Sequence, residues 1–174
     1  MNARDSRRRN RIALALMASL LLILGSGAAS AQQTAAVQPQ NLGVLEHQAG
    51  GVDVVLLDVR RTAGDVLTVK WQYRNNTNER KQLTDQRTGW VDPYRLALDA
   101  YVLDEQNRTK YPVARDEQKN PIAAAHGAIN MFIFVGPKQT LSTWAKFQAP
   151  PADVQTVTIQ IPGAGLFENV PIGK

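Results

Sequence analysis

Between residues 51 and 174 the apolar positions come in short runs, cut at regular intervals by Gly, Pro, Asn and Asp. That layout belongs to an antiparallel sandwich or barrel. The sharpest run is Val66 to Arg74, where Leu67, Val69, Trp71 and Tyr73 alternate with Thr68, Lys70, Gln72 and Arg74. One apolar side and one polar side are what a half-buried strand requires. The run ends at Asn75-Asn76-Thr77-Asn78, residues whose side chains favour turns by bonding to nearby backbone. The nearly continuous apolar run Val52 to Val59 precedes it, and Thr62-Ala63-Gly64-Asp65 joins the two as a hairpin.

Further on, Tyr94 to Leu103 reads as a strand that Asp104-Glu105-Gln106-Asn107 turns into Thr109 to Val113. Ile129 to Val135 is an apolar run closed by Gly136-Pro137, where proline forces a turn. Leu141 to Phe147 places Leu141, Ala145 and Phe147 inward, and Val154 to Ile161 does the same with Val157, Ile159 and Ile161. Pro150-Pro151 separates these two, Pro162-Gly163 closes the second, and Phe167 to Ile172 is the last strand. Seven or eight strands without an amphipathic helix predict an all-β, immunoglobulin-like antiparallel β-sandwich over 51–174. Residues 114–128 read as a long loop between the sheets, since Pro121 and Gly127 limit any helix. Residues 32–50, rich in Gln and Ala, have neither period and read as a flexible leader, so order is expected to start near Gly50-Gly51.

The first 31 residues follow a different pattern. Arg4, Arg7, Arg8, Arg9 and Arg11 precede a 13-residue apolar run, Ile12 to Leu24, broken only by Ser19. Ala29-Ser30-Ala31 then supplies small residues, which completes the layout of a secretory signal peptide cleaved after Ala31. A membrane-spanning helix needs about 20 apolar residues, so this run is too short to be one. The expected product is a soluble periplasmic or secreted protein, not inserted in a membrane. With no cysteine, it has neither a lipid-attachment site nor a disulfide framework, and must rely on a packed core.

Export changes the meaning of the charge. The whole chain carries +5, but residues 1–31 hold five of the 20 basic and one of the 15 acidic residues, which leaves 15 and 14 and a net +1. The electrostatic footprint of a nucleic-acid binder is therefore missing after cleavage.

No residue set carries an identifiable chemistry, so no catalytic residue, cofactor or metal site is assigned. His47 falls in the leader and His126 in the long loop, and neither has a partner at catalytic or ligand spacing. Asp92, Asp104 and Asp116 stand in turns that could gather around calcium, although turn chemistry accounts for them equally. A hydrolase would need Asp92, Asp104 and His126 brought together. Asn75-Asn76-Thr77 and Asn107-Arg108-Thr109 fit the glycosylation pattern but read as turns. Trp90 is the one tryptophan in a polar connection, and with Arg87 and Tyr94 it forms the candidate contact for a protein partner. Folding back to cap the sandwich is the alternative role for Trp90.

The chain resembles the immunoglobulin-like sandwich domains of exported bacterial proteins, some standing alone as secreted antigens and some preceding an OmpA-like peptidoglycan-binding domain. The matching residues are Leu56-Leu57-Asp58-Val59-Arg60-Arg61, Leu67 to Asn76, Pro93-Tyr94-Arg95-Leu96, Trp144 to Pro151, Ile161-Pro162-Gly163 and Phe167 to Ile172. These are strand cores and turns, so the resemblance implies a fold and transfers no active site. The sequence stops two residues after Ile172, which leaves no room for the peptidoglycan-binding module. A non-catalytic module that binds an envelope or secreted protein is the expected function, with a calcium or small-ligand binder as the alternative.

Overall fold

The computed structural model describes residues 41–85, 92–127 and 131–173. The export signal, Arg87 and Trp90 lie outside the described residues.

The alternation at Val66 to Arg74 becomes β3 (Val66–Asn75), which turns back through Gly64 onto β2 (Val52–Thr62). Gly64 sits at φ +75°, a left-handed conformation that suits glycine at a tight turn. Leu67, Val69, Trp71 and Tyr73 are all fully buried. The unbroken apolar run in β2 has a physical cause: the register slips between Leu56 and Asp58, so Leu57 is an extra residue in a β-bulge. Inward positions shift from Val54 and Leu56 to Val59, and the run loses its period of two.

β1 (Gly43–Glu46) pairs antiparallel with β2, so order starts before Gly50 and the leader reading fails over 43–46. Four residues are too few to show a period; the open edge of β2 selects the strand. β8 (Thr140–Gln148) pairs with β3 to complete a sheet of order β1-β2-β3-β8. The second sheet runs β10 (Gly165–Pro171), β9 (Thr156–Ile161), β5 (Tyr101–Asp104), β6 (Thr109–Pro112). A two-stranded ribbon joins β4 (Lys81–Gln82) to β7 (Phe134–Val135). Inner residues of both large sheets form one core, with Trp71, Tyr73 and Phe147 from the first meeting Val102, Ile159, Ile161 and Phe167 from the second. The protein is an all-β sandwich.

Three stretches differ from the sequence reading. Tyr94 to Leu103 is not one strand: a 3-10 turn at Asp92–Tyr94 leads into the short helix α1 (Arg95–Leu98), and only Tyr101–Asp104 is extended. Leu96, Ala97 and Ala100 are buried together at helical spacing, and Arg95 meets Asp99 at 3.5 Å one turn on. The same stretch also reads as a period of two, which hid the helix. Of the run Ile129 to Val135, residues 129 and 130 lie outside the described residues, and the rest contributes Phe134–Val135 as strand, because its partner β4 has two residues. Residues 114–128 do more than loop. Ala114 N–H bonds Lys146 O (2.7 Å), Lys146 N–H bonds Ile122 O (2.9 Å), and Ala124 N–H bonds Trp144 O (2.9 Å), which covers the outer edge of β8.

The sheets are stitched together where they meet. Val113 bridges Phe147 on one side, while on the other Gly173 donates to Val59 O at 2.7 Å and accepts from Arg61 N–H at 3.0 Å. Arg61 adds a clamp: its guanidinium donates to Pro150 O (2.6 Å), Pro151 O (2.7 Å) and Val154 O (3.2 Å). Its charge thereby fixes the loop that carries the chain from β8 to β9.

Candidate functional site

Of the candidate partner contact, only Tyr94 is among the described residues. It ends the 3-10 turn, is half-buried and packs against the core, so most of its ring serves the fold. Beside this turn His126 donates its backbone N–H to Pro93 O at 2.5 Å, which brings the long loop against the start of the helix. The His126 Nε2 is buried without a hydrogen-bond partner among the described residues, and burial lowers the pKa of the ring.

The acidic candidates hold turns. Asp104 is fully buried, and its carboxylate accepts Asn107 N–H (3.0 Å) and Nδ2 (2.7 Å), which closes the β5/β6 turn. Asp116 does the same at the surface with Asn120, at 2.7 and 3.2 Å. Among the described residues no three of His, Cys, Asp or Glu come close enough to share a metal ion. The turn reading of both glycosylation patterns also fits the geometry. Asn75 is buried, with Nδ2 donating to Glu79 O (2.6 Å), Gly136 O (2.9 Å) and Val135 O (3.3 Å). Its Oδ1 accepts Thr77 N–H (2.9 Å) and the Thr77 hydroxyl (2.8 Å).

A cleft of about 150 Å³ opens between Gln48, Thr84, Asp85, Arg95, Asp99 and Gly163. Arg95 stands 3.9 Å from Asp85 and 3.5 Å from Asp99, so its charge is already balanced by two exposed carboxylates. The cleft is large enough for several waters, and its basic side is internally neutralised.

His47, behind Gln48 and Gly163, was missed by sequence reasoning because it follows the unrecognised β1. It is buried, its ring stands edge-on to Tyr73 with centroids 5.5 Å apart, and Nδ1 accepts Ala49 N–H at 3.1 Å. That bond places the neutral ring's proton on Nε2. Burial lowers the His47 pKa below its ordinary 6.5, so the unfolded chain binds its proton first as pH falls. Stability is then fully present above the unfolded value of about 6.5 and is lost as pH drops through it toward the folded value. Thermal melts should therefore hold steady above about pH 7 and fall below it. A His47→Gln variant, melted over the same range, should show a shallower fall; an unchanged slope would assign the effect to His126 and the carboxylates.

Among the described residues, two surfaces of the first sheet carry an exposed large apolar side chain. β1 is an outer strand of the first sheet, with Val44 41% exposed on it. His47 N–H bonds Val52 O at 2.8 Å, and antiparallel alternation from that pair turns the backbone groups of Val44 and Glu46 outward. The second surface is the outer face of the same sheet, where Trp144 on β8 is 37% exposed among polar neighbours. No described helix is long and apolar enough to cross a membrane. No family model, curated protein or solved structure matches the chain.

Proposed function

We propose that the protein is a non-catalytic binding module, exported through a signal peptide cleaved after Ala31, that contacts an envelope or secreted protein by strand pairing along β1. The observation that carries this reading is the open edge of β1. The outer edge of β8 is covered by residues 114–124, and Gly173 bonds the second half of β2, whereas β1 has no described strand beyond it. An uncovered edge with outward N–H and C=O groups and an exposed valine can extend its ladder onto another chain. Trp90 and Arg87, which follow β4 in sequence, would add anchoring side chains at a second contact.

The test is a pull-down from crosslinked envelope extract with wild type, Val44→Lys and Trp90→Ala as baits. One protein retained in near-stoichiometric amount by wild type and lost from Val44→Lys is the expected result, because an edge lysine opposes strand pairing. Loss only from Trp90→Ala would move the contact to the connection after β4. Retention of no specific protein would overturn the proposal.

A further inference from the structure

Trp144 stands on the outward face of β8 directly opposite Lys70 of β3, and Lys70 in turn stands opposite Asp58 of β2. The neighbouring row is Arg60, Thr68 and Lys146, and the row on the other side pairs Gln72 with Ser142. The indole therefore lies on the outer face of the sheet, in a ring formed by Lys70, Lys146, Ser142, Thr68 and Gln72. Such a ring could have folded over the tryptophan, since lysine stems cover apolar surface, yet 37% of the residue stays accessible. Ion pairing leaves this patch with surplus positive charge. Asp58 Oδ2 takes Arg60 Nε at 2.7 Å and Lys70 Nζ at only 3.9 Å, and Lys146 makes no ion pair with a described residue. The face that carries Trp144 thus holds three cations, Lys70 and Lys146 beside the indole and Arg60 one strand further, against the one carboxylate of Asp58.

We propose that this face is a binding platform for an acidic polysaccharide, with a sugar ring stacked on Trp144 and uronate carboxylates held by Lys70 and Lys146. The physical basis is complementarity on two axes. The face of an aromatic ring is electronegative, and one side of a pyranose ring presents a patch of C–H bonds with partial positive charge, so the two surfaces stack. The carboxylate of an adjoining sugar then lies in the field of the lysines, while Ser142 and Gln72 offer hydroxyl and amide partners to ring hydroxyls. A sheet face suits an extended polymer because its rows repeat about every 7 Å along a strand. The site is separate from the β1 edge, three strand spacings or about 14 Å across the sheet.

Titration calorimetry of the purified protein at low salt against polygalacturonate, with dextran as the neutral comparison, tests the proposal. Wild type should bind polygalacturonate at least about tenfold more tightly than dextran, and added salt should weaken it. Trp144→Ala and Lys70→Glu should each lose about tenfold or more in affinity while melting within a few degrees of wild type, since both side chains face solvent. Equal affinity for dextran would overturn the charge assignment, and affinity unchanged by Trp144→Ala would overturn the stacking. Absence of polygalacturonate binding at low salt would overturn the whole proposal. Val44→Lys should bind as wild type does, which keeps this outcome independent of the partner at β1.

Discussion

Replacing Asn75 by Ala should cost about 3–4 kcal/mol of folding stability, a large share of what a domain of this size possesses. The side chain ties the turn after β3 to the end of β7, accepting from Thr77 while donating to Glu79 before β4 and to Val135 and Gly136 where β7 ends. Alanine removes the donor and leaves buried carbonyls without a partner, each at the desolvation cost of an unsatisfied group. An Asn75→Asp variant separates this account from simple loss of volume. It keeps the acceptor for Thr77 but turns an oxygen toward three carbonyl oxygens, so it should be at least as damaging as alanine and worse at neutral than at acid pH. Urea denaturation of the three proteins reads both effects. An aspartate variant as stable as wild type would show that the amide donor contributes little.

Gly163→Ala should be nearly as harmful, at about 2–4 kcal/mol. Gly163 has φ +78°, where an alanine is strained, and its missing Cβ leaves the space that His47 fills. An added methyl carbon would fall onto His47 Nε2 and within 2.7 Å of Cδ2. Gly163 O also accepts Gln48 N–H at 2.7 Å, so displacing either residue loosens the join between the end of β1 and the β9/β10 turn. A double variant, Gly163→Ala with His47→Ala, should be less destabilised than the sum of the two single variants, because the clash is gone while the backbone strain and the lost His47 packing remain. Urea midpoints in the four-member cycle give the coupling directly. Strict additivity would refute the clash.

The all-β sandwich was legible because half-buried strands write their two faces into the sequence, as Leu67, Val69, Trp71 and Tyr73 do. Local turns were legible for a similar reason: Gly64 and the Asp104–Asn107 pair act within their own hairpins. What escaped depended on distant partners. β1 becomes a strand because β2 offers an edge, and β4 and β7 because they meet each other. α1 was hidden by a stretch whose apolar positions satisfy both periods. The candidate surfaces divide along the same line. Trp144 alternates with inward Thr143 and Ala145, so its outward direction follows from the strand pattern. Its cationic surroundings do not, because Lys70 reaches it only through the register between β3 and β8.

That register also orders the events of folding. The β2/β3, β5/β6 and β9/β10 hairpins close over turns of a few residues, whereas the β3/β8 ladder joins residues 66–74 to 140–148. Local hairpins form in microseconds, while ladders of long sequence separation must first meet the entropy of closing the intervening loop. β3 therefore waits with one edge unpaired for most of the folding time. Lys70 and Arg74 alternate outward along it, and charges on a temporarily open edge discourage a second copy from pairing there before β8 arrives.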